Sequence, residues 1–126
     1  MTADRQAHIM VVEDDGDIRD SVAEILEEEG YTVSVAADGL EALHHLERDS
    51  PKPDLILLDL MMPNMNGFQF REAQLKGEHA GIPVAVVTAD GDAKDKAQQL
   101  HAAGYVRKPL KIQPLLDLVG RVLGGS

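Results

Sequence analysis

Residues 54–67 read DLILLDLMMPNMNG. Leu55, Ile56, Leu57 and Leu58 form an unbroken apolar run, the pattern of a strand covered on both faces. The run finishes on Asp59, and an ionised carboxylate at the tip of a buried strand must be solvated, paired or put to use. Pro63 and Gly67 already supply turn chemistry downstream, so a functional role for Asp59 is favoured over a mere turn role.

Outward from this stretch, four more short runs have strand character: His8 to Glu13 (HIMVVE), Tyr31 to Ala36 (YTVSVA), Pro83 to Thr88 (PVAVVT) and Tyr105 to Arg107 (YVR). Between them lie helical spacings. Ile18, Val22, Ile25 and Leu26 make one stripe before the stop at Gly30, and Leu40, Leu43 and Leu46 make another. GDAKDKAQQLHAAG offers only Ala93, Ala97 and Leu100, a light anchor that suits a movable element. The last segment, with Ile112, Leu115, Leu116, Val119, Val122 and Leu123, is the cleanest amphipathic helix, and Pro114 is tolerable in its first turn. Strands alternating with helices predict a doubly wound α/β domain with a parallel sheet and right-handed crossovers. With 126 residues, 44% of them hydrophobic, the chain is expected to be a single domain over 1–126, its core spanning about 8–123.

The chain has no cysteine, which excludes a disulfide framework and a thiolate metal site. Acids precede any signal-like apolar stretch at the N-terminus, and no run approaches the roughly 18 residues of a membrane span. A cytoplasmic protein without membrane contact is expected. The formal charge of −10 argues against direct nucleic-acid binding, which depends on clustered Lys and Arg.

Ligands of such sheets gather beyond the carboxyl ends of the strands. The first strand runs into Glu13-Asp14-Asp15, the third ends on Asp59, the fourth on Thr88, and the fifth leads to Lys108-Pro109. Two unit charges about 5 Å apart repel by roughly 3 kcal/mol at an effective dielectric near 20. Three carboxylates at one edge therefore call for protons or a cation, and an all-oxygen site open to water suits Mg²⁺ or Mn²⁺. A metal held by Asp15, Asp59 and a backbone carbonyl leaves room for a phosphoryl oxygen. Asp59 is then a candidate nucleophile, Lys108 a point charge and Thr88 a hydroxyl donor for the phosphoryl group. Helix capping is the plain alternative for Asp14 and Asp15, and Asp17 is expected to fill that role instead.

With these residues in view, the chain from about His8 to Leu123 resembles the receiver domain of two-component response regulators, the CheY-like family. The resemblance rests on Asp14-Asp15, the phosphoacceptor in LLDLMMPNMNG, the Val87-Thr88-Ala89 step and Lys108-Pro109, in the family's order and near its spacing. It implies a flavodoxin-like (βα)5 fold with strand order 2-1-3-4-5. It also implies that Asp59 accepts phosphate from a sensor histidine kinase or a histidine phosphotransfer protein. Asp14, Asp15, Asp59 and the Met61 carbonyl then hold Mg²⁺, while Thr88 and Lys108 sense the phosphoryl group. Tyr105 matches the switch aromatic and Pro109 the family's cis-proline. The altered face is expected to comprise the fourth helix, fifth strand and fifth helix and to bind a downstream effector or form a homodimer on phosphorylation. The chain is expected to catalyse only its own phosphorylation and dephosphorylation.

Two departures stand out. LHAAGYVRKP is shorter before Tyr105 than the commonest family pattern, and Arg71 and Gln74 fill places that are often apolar. The third helix is therefore expected to pack less deeply or to let these polar heads snorkel. Two other functions stay open: a receiver-like binding module that never takes phosphate, and an Mg²⁺-dependent small-molecule phosphatase. The second is disfavoured because Met61 stands where such an enzyme usually carries its general acid.

Overall fold

The computed structural model describes residues 6–89 and 91–124, so the expected span of 1–126 extends at both ends outside the described residues. The elements alternate as β1 (His8–Val12), α1 (Gly16–Glu28), β2 (Thr32–Ala36), α2 (Gly39–Arg48), β3 (Leu55–Asp59), α3 (Gly67–Leu75), β4 (Val84–Thr88), α4 (Ala93–Gln99), β5 (Gly104–Arg107) and α5 (Ile112–Gly124). The strands form one parallel sheet in the order β2-β1-β3-β4-β5, the doubly wound, flavodoxin-like arrangement expected.

All residues of β1, β3 and β4 are buried, whereas the edge strands β2 and β5 are partly exposed. Helices on both faces explain why the central strands read as continuous apolar runs. The period of two then divides the core. Ile9, Val11, Leu55, Leu57 and Val87 pack with Val22 and Leu26 of α1 and with Leu115, Leu118 and Val119 of α5. On the other face, Met10, Val12, Ile56 and Leu58 meet Ala42, Leu46 and Phe70 of α2 and α3. A third cluster, Leu60, Val86, Ala97 and Leu100, lies beneath α4. Burying one Leu or Ile side chain contributes about 1.5–3 kcal/mol, so the apolar part of β3 supplies roughly 6–12 kcal/mol against its ordering entropy.

Two helices differ from expectation. In α5 the buried stripe includes Leu118, while Ile112 is 57% exposed because it opens the helix beyond the sheet's carboxyl edge. In α3, Arg71 and Gln74 neither loosen the helix nor snorkel: they are 5% and 2% exposed, beside a fully buried Phe70. Hydrogen bonds to main-chain carbonyls make this burial tolerable.

The start of α3 is held hard against the end of β3. Asn66 and Gln69 form a reciprocal capping box, and the Gly67 N–H donates to the Leu60 carbonyl at 3.1 Å. A Cβ on Gly67 would lie 2.6 Å from the Asp59 carbonyl oxygen, so only glycine permits this approach.

Candidate functional site

β1 and β3 are paired neighbours, with Val12 opposite Leu58 in the register. One step further along come Glu13 and Asp59, both only 3% exposed. With the exposed Asp14 they form a cluster in which one carboxylate oxygen of each lies within 4.8 Å of the others. Lys108, from the segment between β5 and α5, reaches into this group. Its Nζ lies 2.9 Å from Glu13 Oε1 and 3.3 Å from Asp59 Oδ2. Its backbone N–H donates to the Thr88 carbonyl at 2.9 Å, which ties the lysine to the end of β4.

These neighbours set the protonation of the site. Burial, and then the adjacent Glu13 carboxylate, push the Asp59 carboxyl up to about 7, against the opposing pull of Lys108 and of the Met61 N–H. For Lys108, burial works against the charge, but the hydrogen bond to Glu13 and the charge of Asp59 more than offset it and hold the ammonium above its ordinary value. Asp59 is thus a carboxylate whose charge is costly in the fold and eased by any added cation.

The assignment of the acids needs one correction. Asp15 does not join the cluster. It is the N-cap of α1, its Oδ1 accepting from the Ile18 N–H at 3.1 Å, while Asp17 sits in the first turn rather than at the cap. The acid that sequence reasoning missed is Glu13. β1 stops at Val12, so Glu13 prolongs the strand direction into the site and the chain has already turned into the helix by Asp15. Glu13 is further fixed by its carbonyl, which accepts from Arg19 Nη1 at 2.9 Å, and by its Oε2, which accepts from the Asp15 N–H at 3.2 Å. Its direct continuation of HIMVV was the signal available in the sequence.

The remaining candidates fall around this centre. Thr88 is buried as the last residue of β4, next to Val87, the partner of Asp59. The Met61 N–H donates to Asp59 Oδ1 at 3.2 Å, which holds the main chain after β3 against the carboxylate. Tyr105 is half-buried, opposite Val86, and packs against the cluster beneath α4. The Lys108–Pro109 peptide is cis. The donor set is all oxygen, carries several negative charges and has one exposed member, which fits a hard divalent cation such as Mg²⁺. A buried carboxylate beside an ammonium and a cation site is equipped to take up a phosphoryl group.

A family model for the response regulator receiver domain matches residues 9–120. The chain belongs to the response regulator receiver family. Among its relatives, the alkaline phosphatase synthesis transcriptional regulatory protein SphR of Synechococcus elongatus is 39% identical over 119 residues, covering 87% of this chain and 46% of the relative. The response regulator MprA of Mycobacterium tuberculosis is 36% identical over 110 residues, covering 86% and 46%. The chain thus spans about half the length of the curated relatives it matches. In structure it is similar to the chemotaxis protein CheY4 of Vibrio cholerae, with a TM-score of 0.84 and 32% identity, covering 94% of this chain and 100% of that one. As a receiver domain it is a phosphorylation-activated signalling switch of two-component systems, and neither the non-phosphorylated module nor the phosphatase is favoured. Among the described residues no helix is long and apolar enough to cross a membrane.

Proposed function

We propose that Asp59 is the phosphoacceptor and that residues 8–123 work as one receiver unit. The donor is the phosphohistidine of a sensor histidine kinase or of a histidine phosphotransfer protein. An Asp59 oxygen forms a bond to phosphorus while the donor's phosphorus–nitrogen bond breaks, and the imidazole leaves with the electron pair. The observation that carries this reading is the burial of Asp59 at a strand tip, with two further carboxylates within 4.8 Å and the Lys108 ammonium at 3.3 Å.

Glu13, Asp14 and Asp59, with the Met61 carbonyl, are the residues that would hold Mg²⁺ or Mn²⁺. The chemistry supplied by a bound ion is neutralisation of charge on the phosphoryl oxygens. Lys108, lying between Glu13 and Asp59, is placed to follow a phosphoryl oxygen when one arrives, and the Thr88 hydroxyl offers a second donor. Phosphorylation adds roughly one to two negative charges at this edge, enough to bias a two-state element. The elements that respond are α4, β5 and α5, with Tyr105 as the switch aromatic beneath α4. Their altered face binds a protein effector or a second copy of the chain. The chain serves as the substrate of its donor and turns over no separate substrate. A cytoplasmic setting suits the reading, and the charge of −10 supports protein rather than nucleic-acid partners.

The test is incubation with acetyl phosphate and Mg²⁺ followed by intact mass. The wild type is expected to gain one phosphoryl group and Asp59→Asn none. Uptake by the variant, or none by the wild type, would contradict the assignment, and sustained hydrolysis of a phosphate ester would restore the phosphatase.

A further inference from the structure

The two departures from the family pattern meet in space. Arg71, in the middle of α3, points its buried guanidinium at the end of α4. Nε donates to the Leu100 carbonyl at 2.9 Å, Nη2 to the His101 carbonyl at 3.0 Å, and Nη1 to Gln74 Oε1 at 2.8 Å. Gln74 in turn donates from Nε2 to the carbonyls of His79 and Ile82, at 2.9 and 3.0 Å, in the segment leading to β4. No carboxylate among the described residues pairs with the guanidinium. Its charge is answered by carbonyl dipoles at a helix C-terminus, where a cation is favoured.

The carbonyls it grips belong to a compact turn. His101 adopts the left-handed conformation with φ of 54°, its N–H donates to the Gln98 carbonyl at 3.1 Å, and the Ala102 N–H donates to the Ala97 carbonyl at 2.9 Å. This closes α4 within two residues. The next N–H, of Ala103, donates to the Val84 carbonyl at 2.7 Å, so the chain passes at once from the turn into contact with β4. The turn before Tyr105 thus directs the Leu100 and His101 carbonyls toward α3, and Arg71 satisfies both.

We infer that Arg71 and Gln74 are positioning residues that bolt the C-terminal end of α4 to α3, so that α4 responds to phosphorylation by pivoting about this fixed end. The opposite end of α4 follows the Thr88 tip of β4, where the phosphoryl group arrives, and the helix between buries only Ala93 and Ala97. A seven-residue helix held at one end and lightly packed along its length moves most where the signal enters. The bolt itself is independent of phosphate chemistry, whereas the pivot rests on the receiver reading above.

Residue-resolved hydrogen exchange on the full chain separates these parts. In the unmodified protein, Arg71→Met is expected to speed exchange of the Leu100, Ala102 and Ala103 amides by about tenfold relative to amides of β1 and β3, because two buried acceptors and one part-buried acceptor lose their donor. Arg71→Lys, which keeps the charge but cannot bridge both carbonyls, should fall between. A uniform rise across all amides, or no local rise in either variant, would overturn the bolt. On adding beryllofluoride and Mg²⁺ to the wild type, changes should concentrate at residues 93–96 and spare 100–103, and in Arg71→Met they should extend through 103. Equal changes at both ends in the wild type would overturn the pivot. A wild type silent to beryllofluoride would instead overturn the phosphorylation reading and the pivot with it, leaving the bolt to be judged by the exchange of the unmodified protein.

Discussion

Replacing Asp59 with Asn should stabilise the metal-free protein, by an amount that grows as pH rises from about 4 to about 7 and then stays level. Within 4.8 Å, the buried Glu13 carboxylate repels an ionised Asp59 by about 3.5 kcal/mol at an effective dielectric near 20, whereas the exposed Asp14 is screened by solvent. Lys108 at 3.3 Å returns about 5 kcal/mol, so the cost of the charge comes first from burial, which together with the Glu13 repulsion outweighs this attraction. The titration gives the net effect of these contributions. The folded pKa of about 7 lies above the ordinary 3.8, so the folded state holds this proton more tightly. The associated stability is full below the unfolded value, declines as pH rises between the two, and is gone once pH passes the folded value. Between about pH 5 and pH 8 the loss amounts to roughly 2–3 kcal/mol. Urea unfolding in EDTA, wild type and Asp59→Asn side by side at both pH values, measures it as a double difference that cancels the other titrating groups. The wild type should lose 2–3 kcal/mol more than the variant on going from pH 5 to pH 8, and added Mg²⁺ should abolish the gap. Equal pH dependence of the two proteins, or a wild type more stable than the variant at pH 8 without metal, would refute the argument that Asp59 is held at a charge-strained site.

The neighbouring acids should divide cleanly in function. Asp14→Asn is expected to weaken Mg²⁺ binding by about tenfold or more in a calorimetric titration, yet to change stability by less than about 0.5 kcal/mol because Asp14 is exposed. Asp15→Ala should do the reverse, costing about 1 kcal/mol through the lost α1 cap and leaving Mg²⁺ affinity within about twofold. Gly67→Ala should destabilise by about 2–3 kcal/mol in thermal or urea unfolding, since the new methyl meets main-chain atoms at 2.6 and 2.8 Å and must push α3 from β3. His101→Gly should stabilise by about 1 kcal/mol, because glycine carries no penalty at the φ of 54° that closes α4.

Most of the architecture is legible because burial on both faces leaves a coarse imprint. β1, β3 and β4 stand out as apolar runs for the same reason that they occupy the centre of the sheet. Asp59 and Lys108 are legible because a charge at the end of such a run has few structural uses. What escapes is decided within a single residue. Three consecutive acids, Glu13, Asp14 and Asp15, are chemically alike, and which of them face the site depends on whether the strand ends at Val12 or one place later. Moving that boundary by one residue turns a member of the cluster into a helix cap, the same sensitivity that makes strand register flip a whole face.

Arg71 and Gln74 show the opposite difficulty. Read along α3 alone, polar residues in an apolar stripe argue for a helix that sits shallowly, and that inference is sound as long as only α3 is considered. The partners that reverse it are the carbonyls of Leu100 and His101, about thirty residues away in the turn that closes α4. A buried donor and a buried acceptor are each unfavourable alone and favourable together. Each departure therefore looks like a defect in isolation, and the pair is a single long-range contact that one-dimensional periodicity cannot register. If Arg71 did nothing beyond filling space, an apolar residue of similar size would serve as well, and the local exchange of Ala102 and Ala103 would not respond to its loss.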